Sequence, residues 1–257
     1  MATIARMYRE LALPRVRMFV EAFWSLEVDT PAARRILPDG CIDFLFDLDR
    51  GTGSVIGTMK TSQLVAMPAG ARRFGVRFAP GGAMPFIDAH AHELTDRKAG
   101  LSELTRAAAF DLAERVAEAP DERTRALLVA DFLEDRRSRL RATDARVRRA
   151  TEEVRANAGR VAIPTLARRL DLGERQLERL FREQVGSGPK LFARVVRMQR
   201  ALALLETRTE YRGERALDAG FADEPHLVRE FRALTGVTPR LLFLERNAMS
   251  DSSNRAR

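Results

Sequence analysis

The 257 residues are 45% hydrophobic and 31% charged, an ordinary globular composition with length enough for two cored domains. No apolar run approaches the roughly 18 residues of a membrane span, and the N-terminus lacks the short apolar core of a signal peptide. One cysteine, Cys41, excludes an internal disulfide and a multi-cysteine zinc site, so a reducing cytoplasm is the expected location. The net charge of +8 is segregated: residues 1–140 hold 20 Lys+Arg against 20 Asp+Glu, whereas residues 141–246 hold 22 against 15. A neutral sensing or assembly domain joined to a nucleic-acid-binding one has this distribution.

In chain order, residues 20–28 (VEAFWSLEV), 41–48 (CIDFLFDL) and 74–78 (FGVRF) alternate apolar and polar side chains or read as short buried strands. Pro38-Asp39-Gly40 and Pro80-Gly81-Gly82 read as turns, because proline presets φ and glycine accepts a positive one. Together they predict a small β-sandwich or barrel with Trp24, Phe44, Phe46, Phe74 and Phe78 in its core, although a small aromatic-lined effector pocket would use the same residue types. Helical spacing follows. Leu101, Leu104, Ala108, Leu112 and Val116 share one face of a helix that should stop near Pro120. Asp121 then caps a second helix carrying Leu127, Leu128, Phe132 and Leu133. This predicts a helical bridge over about 100–140 and a domain boundary near 140, while residues 247–257 have the composition of a disordered tail.

Two groups in this half carry candidate chemistry. His90, His92 and Glu93 superficially form a ligand cluster, but the third histidine, His226, lies far off in sequence, and no metal site is expected. Cys41 sits in an apolar run without an adjacent base and reads as a buried structural thiol, with a redox or electrophile sensor as the alternative. No nucleophile–base pair and no phosphate-binding glycine loop appears, so neither an enzyme nor a cofactor is expected. A cupin-like metalloenzyme fused to a helical domain is the alternative from another function class, and a non-specific nucleic-acid binder is a third.

The C-terminal half repeats itself at an offset of 50 residues. Leu177, Arg179, Phe181, Arg182, Gly186, Pro189, Lys190 and Leu191 match Leu227, Arg229, Phe231, Arg232, Gly236, Pro239, Arg240 and Leu241. Each copy reads as a helix, a glycine that ends it and a proline that opens the next. Before the first copy, residues 164–170 form two helical turns with Leu166, Ala167 and Leu170 inward. Asp171-Leu172-Gly173 turns the chain into a helix burying Leu177, Leu180 and Phe181. Residues 214–219 and Gly220-Phe221 play the same part in the second copy, where Asp223 caps a helix burying Leu227 and Phe231. A helical hairpin of any kind would share this spacing. Two copies in the basic half point to tandem helix-turn-helix units.

Residues 146–243 resemble the DNA-binding domain of the AraC/XylS family of bacterial regulators. The resemblance rests on Leu166-Ala167, Leu170, Leu177, Leu180-Phe181 and Gly186, and on 219–223 (AGFAD), His226-Leu227, Arg229, Phe231 and 236–239 (GVTP). The segments 37–46, 75–83 and 93–104 resemble an uncharacterised domain often found ahead of this one. The expected fold is α+β: a small β-sandwich or barrel-like domain with a helical bridge (1–140), then an all-α domain (141–246). The expected function is sequence-specific binding of double-stranded DNA in transcription regulation.

Side chains facing away from the core near the start of a recognition helix enter the major groove. These are Arg175, Gln176, Glu178 and Arg179 in the first unit, and Glu224, Pro225, His226 and Arg229 in the second. Arginine fits guanine O6 and N7 with two hydrogen bonds, and glutamate accepts from cytosine N4. Arg182, Lys190, Arg232 and Arg240 are better placed for phosphates. For each of these cations a plain solvated surface charge is the alternative, and His226 has local packing as its own. Arg212 and Arg215 depart from the family pattern, standing where the second scaffold helix presents apolar groups, and Gly173 replaces a hydroxyl cap. The second unit is therefore expected to be the less orthodox. RNA polymerase, a small-molecule effector at the N-terminal domain and a homodimer through the helices at 101–140 are partners the sequence leaves open; a membrane is not.

Overall fold

The computed structural model describes residues 7–105, 109–136, 143–206 and 218–254. Its N-terminal half is an antiparallel sheet of β1 (Met7–Leu11), β2 (Val20–Glu27), β7 (Arg72–Phe78), β4 (Asp43–Asp47), β5 (Thr52–Ile56) and β8 (Lys98–Gly100), in that spatial order. A separate ribbon pairs β3 (Ala32–Ile36) with β6 (Gln63–Met67). The three apolar runs in the sequence lie within or around β2, β4 and β7, which are neighbours. Their register sets Phe44 opposite Val76 and Phe46 opposite Phe74. With a side-chain period of two, these residues and Phe78 line one face, where Phe44 and Phe78 meet edge to face at 4.7 Å. Trp24 points to the other face. Its indole lies over Gly75, where a Cβ would come within 2.1 Å of the ring, and its Nε1 donates to Asp43 Oδ2 at 3.0 Å. Trp24 is thus half-buried and outside the main core, unlike the four phenylalanines expected with it.

The buried face of the sheet is covered by α2 (Phe110–Glu118) and α3 (Glu122–Arg136). Leu112, Val116, Ala126, Val129 and Leu133 join the same cluster as Phe23 and Phe44. The helices read as a bridge are therefore part of the N-terminal core, and most of their apolar stripes cover the sheet, while Leu127 stays exposed. The single helix expected over 101–116 is two, α1 (Leu101–Leu104) and α2. After α1, Thr105 is buried and its hydroxyl donates to Leu101 O at 2.7 Å, a back-bond that competes with helix continuation. Asp121 caps α3 as expected, accepting from Thr124 N at 2.7 Å.

Among the described residues the C-terminal half has helices and no strand: α4 (Ala145–Ala156), α5 (Ile163–Arg169), α6 (Glu174–Gln184), α7 (Pro189–Glu206), α8 (Glu224–Thr235) and α9 (Pro239–Asn254). Two cores lie side by side. Val147, Ala150, Val154, Leu166, Ala167, Leu177 and Phe181 fill the first; Leu227, Phe231, Leu234, Leu242 and Phe243 fill the second. Helix α7 belongs to both, giving Phe192 and Ala193 to the first and Val195, Met198, Ala201 and Leu205 to the second. The boundary expected near 140 and the scaffold arginines Arg212 and Arg215 lie outside the described residues. Helix α9 continues to Asn254, into the stretch whose composition suggested a tail.

Candidate nucleic-acid interface

The first unit forms because α5 and α6 can meet closely. Ala167 and Leu166 are buried on α5, against Leu177, Leu180 and Phe181 of α6. Asp171 takes φ +54° and Leu172 N bonds back to Ala167 O at 3.0 Å, so the turn spends one left-handed residue to reverse the chain. Gly173 has ordinary extended dihedrals as N-cap of α6 but offers no side chain to the first-turn N–H groups. At the other end Gly186, at φ +92°, closes the helix with its N–H on Phe181 O at 3.1 Å.

The second unit repeats the construction with a better cap. Asp223 accepts from His226 N at 2.6 Å, Pro225 occupies the first turn of α8, and Gly236 ends the helix at φ +75°. His226 has its own local contacts: its Nδ1 accepts from Ala222 N at 3.3 Å and its ring stands 5.4 Å from that of Phe221. That is the local packing left open for it by the sequence, and it leaves Nε2 as the edge for any base contact.

Both recognition helices bury one face and present the predicted residues on the other. Arg175, Gln176, Glu178 and Arg179 are exposed on α6; Glu224, Pro225 and Arg229 are exposed on α8, with His226 half-buried. Arg182, Lys190, Arg232 and Arg240 are exposed as well. Arg179 holds Glu183 at 3.0 Å, one turn on. The repeat places Ala233 at the equivalent position in α8, so Arg229 has no such carboxylate one turn ahead. The carboxylate of Glu178 folds back over Gly188, where a Cβ would approach it within 2.4 Å.

The rear of the helical domain docks on the N-terminal domain, which the sequence did not foretell. Gly40, at φ +79°, lies so close to the Phe192 ring that a Cβ would stand 2.5 Å from it. Gln199 donates to Pro38 O at 2.7 Å, and Leu37 enters the second helical core. Beside this turn, Arg155 of α4 pairs with Glu21 of β2 and reaches the Cys41 sulfur at 3.6 Å. Burial pushes the Cys41 thiol well above its usual range, helped by Asp39 and Glu21 against Arg155. Its sequence neighbours are apolar but its spatial neighbours are ionic, and it stays a protonated, buried thiol. Burial, then Asp39, raises the Asp43 carboxyl to about 7, and Asp39 moves in the same direction by burial. Burial works against the charge on Arg77, but Asp43 and Asp39 outweigh it and keep that guanidinium firmly protonated. A cavity of about 290 Å³ opens here, lined by Glu21, Asp39 and Arg77 from one domain and Arg155, Gln199 and Arg200 from the other.

His90 and His92 stack with ring centroids 5.6 Å apart, and Glu93 bonds His90 N at 2.9 Å. Among the described residues no group of three metal-ligating side chains is assembled, and no helix is long and apolar enough to cross a membrane.

Residues 166–243 match the family model of a helix-turn-helix domain, and residues 10–100 match that of a domain of unknown function. No curated protein matches the chain. Similar solved structures include ToxT from Vibrio cholerae O395, 10% identical with a TM-score of 0.46, covering 86% of this chain and 97% of that one. Another is unsaturated fatty acid bound wild-type ToxT from Vibrio cholerae strain SCE256, 11% identical with a TM-score of 0.43, covering 86% and 93%.

Proposed function

We propose that this chain, a DNA-binding transcription regulator with an AraC-type helix-turn-helix domain at residues 166–243, reads double-stranded DNA with α6 and α8 in successive major-groove segments. The observation that carries the reading is the pairing of two separately cored units whose recognition helices both expose arginine and glutamate side chains on the face away from the core. Arg175, Gln176, Glu178 and Arg179 of α6, with Glu224, Pro225, His226 and Arg229 of α8, contact base edges. Arg182, Lys190, Arg232 and Arg240 bind phosphates, which fix register without reading sequence. The two units are unequal: α8 is the better capped helix, and α6 carries more side chains able to hydrogen-bond base edges.

An effector acts at the seam between the domains. The cavity, whose polar lining mixes Glu21 and Asp39 with Arg77, Arg155, Gln199 and Arg200, suits a small polar molecule whose binding would alter how the two domains dock. In-vitro selection of bound DNA fragments tests the main reading. Two short motifs about ten base pairs apart are expected. Fragments enriched no further than a random pool would overturn it.

A further inference from the structure

We propose that the loop between β5 and β6 is a caliper that sets the spacing at which the two recognition helices can bind, and so makes the N-terminal domain a determinant of operator spacing. The proposal rests on the DNA-binding reading above. At one end of the loop, Thr58, which is 1% exposed, donates its hydroxyl to Val185 O at 2.7 Å. At the other end, Ser62 N donates to Leu234 O at 2.8 Å and Ser62 Oγ to Thr235 O at 2.7 Å. Val185 and Thr235 are related by the 50-residue repeat. The loop therefore grips the same structural position of both units: the C-terminal carbonyls of α6 and α8, which have no partner within their own helices.

Neighbouring groups brace both grips. Thr95 Oγ1 donates to Gly186 O at 2.7 Å beside the first. At the second, Arg35 Nη1 donates to Thr235 O at 3.1 Å while its other nitrogens hold Glu245 of α9. A cation at that helix end also suits the helix dipole. The loop itself is pinned from below: Asp96 N donates to Thr58 O at 3.0 Å, and Asp96 Oδ1 accepts from Lys60 N at 2.8 Å.

The span follows from chain geometry. Residues 58 and 62 are four Cα steps apart, at most about 14 Å. Adding a side chain and a hydrogen bond at each end holds the two helix ends within about 24 Å. Helix α7 runs through both cores, and Arg160 of the first unit packs against Gly220 of the second. The loop adds a tie between the C-terminal ends of the two recognition helices, so that their ends are held as well as their cores. A frame of fixed width matches one separation of half-sites, because each base pair moves a half-site about 3.4 Å along and about 35° around the duplex.

The test uses the full chain and duplexes carrying its selected motifs, with the spacer lengthened or shortened by one or two base pairs. Two variants are compared with the wild type: Thr58→Val with Ser62→Ala, and a Gly-Gly insertion between Lys60 and Thr61 that keeps every hydrogen-bonding group. The wild type should lose about tenfold or more in affinity for each altered spacer. Each variant should bind the native spacing within about threefold of wild type, which shows it is folded, and lose less than about threefold on altered spacers. Identical spacing profiles for variants and wild type would overturn the caliper. So would a uniform rise in affinity at all spacings, which would make the loop a brake. A wild type that does not distinguish selected from random duplexes would instead overturn the DNA-reading proposal on which this one stands.

Discussion

Replacing Arg179 by alanine separates the proposed base reading from structure, because the two contributions expected of this side chain differ in size. In the free protein its guanidinium is 60% exposed and pairs with Glu183 at 3.0 Å across one helical turn. An exposed pair of that kind is worth about 0.3–0.5 kcal/mol, so Arg179→Ala should leave thermal unfolding within about 2 °C of wild type. A bidentate contact to guanine is worth about 1–3 kcal/mol, which is a loss of roughly 5- to 160-fold in affinity. The loss should fall on the selected duplex, with random duplex at the same salt barely affected. Freeing the arginine from its intramolecular partner should act in the opposite direction: Glu183→Ala is expected to tighten specific binding by up to about twofold. Fluorescence anisotropy on selected and shuffled duplexes, with a thermal melt of each variant, measures all three quantities. Equal weakening on both duplexes would place Arg179 on phosphate, and an unchanged affinity would remove it from the interface.

Arg240→Ala should flatten the dependence of log affinity on log salt by about one unit, since one phosphate contact releases about one counterion; an unchanged slope assigns Arg240 to solvent. Gly173→Ser should stabilise α6 by a few tenths of a kcal/mol, raising the melting temperature by about 1 °C, because the position has N-cap dihedrals and open space around its Cα. A fall in melting temperature would show that the cap geometry is misread. The raised carboxyl of Asp43 gives a pH signature: the folded state holds a proton that the unfolded chain releases near pH 4, so this contribution is full below that and is lost as pH rises towards about 7. Asp43→Asn, which keeps an acceptor for Trp24 Nε1, should remove a loss of up to a few kcal/mol over that window, seen as a flatter melting temperature against pH; an unchanged pH profile would locate the titration elsewhere.

The core of each helix-turn-helix unit was legible in the sequence because its information is local. Leu166, Ala167, Leu177 and Phe181 are brought together by helical periodicity and one tight turn, and the glycine–proline punctuation at Gly186-Pro189 and Gly236-Pro239 recurs at a fixed offset. The exposure of Arg175, Arg179 and Arg229 follows from the same periodicity, since burying one stripe of a helix turns the other outward. The strands were legible for a similar reason, as alternation shows in the residues themselves.

The tertiary structure alone decided what lies across the chain from what. Trp24 left the main core because the antiparallel register set it over Gly75, on the face opposite its phenylalanine neighbours. Cys41, apolar by sequence context, gained an arginine and a glutamate from residues 114 and 20 positions away. Thr58 and Ser62 carry no local pattern of their own; their role exists only because two repeat-related helix ends arrive at the same loop. Periodicity fixes the faces of an element through backbone geometry alone. Contacts between elements depend on how many faces pack at once, which no window of sequence contains.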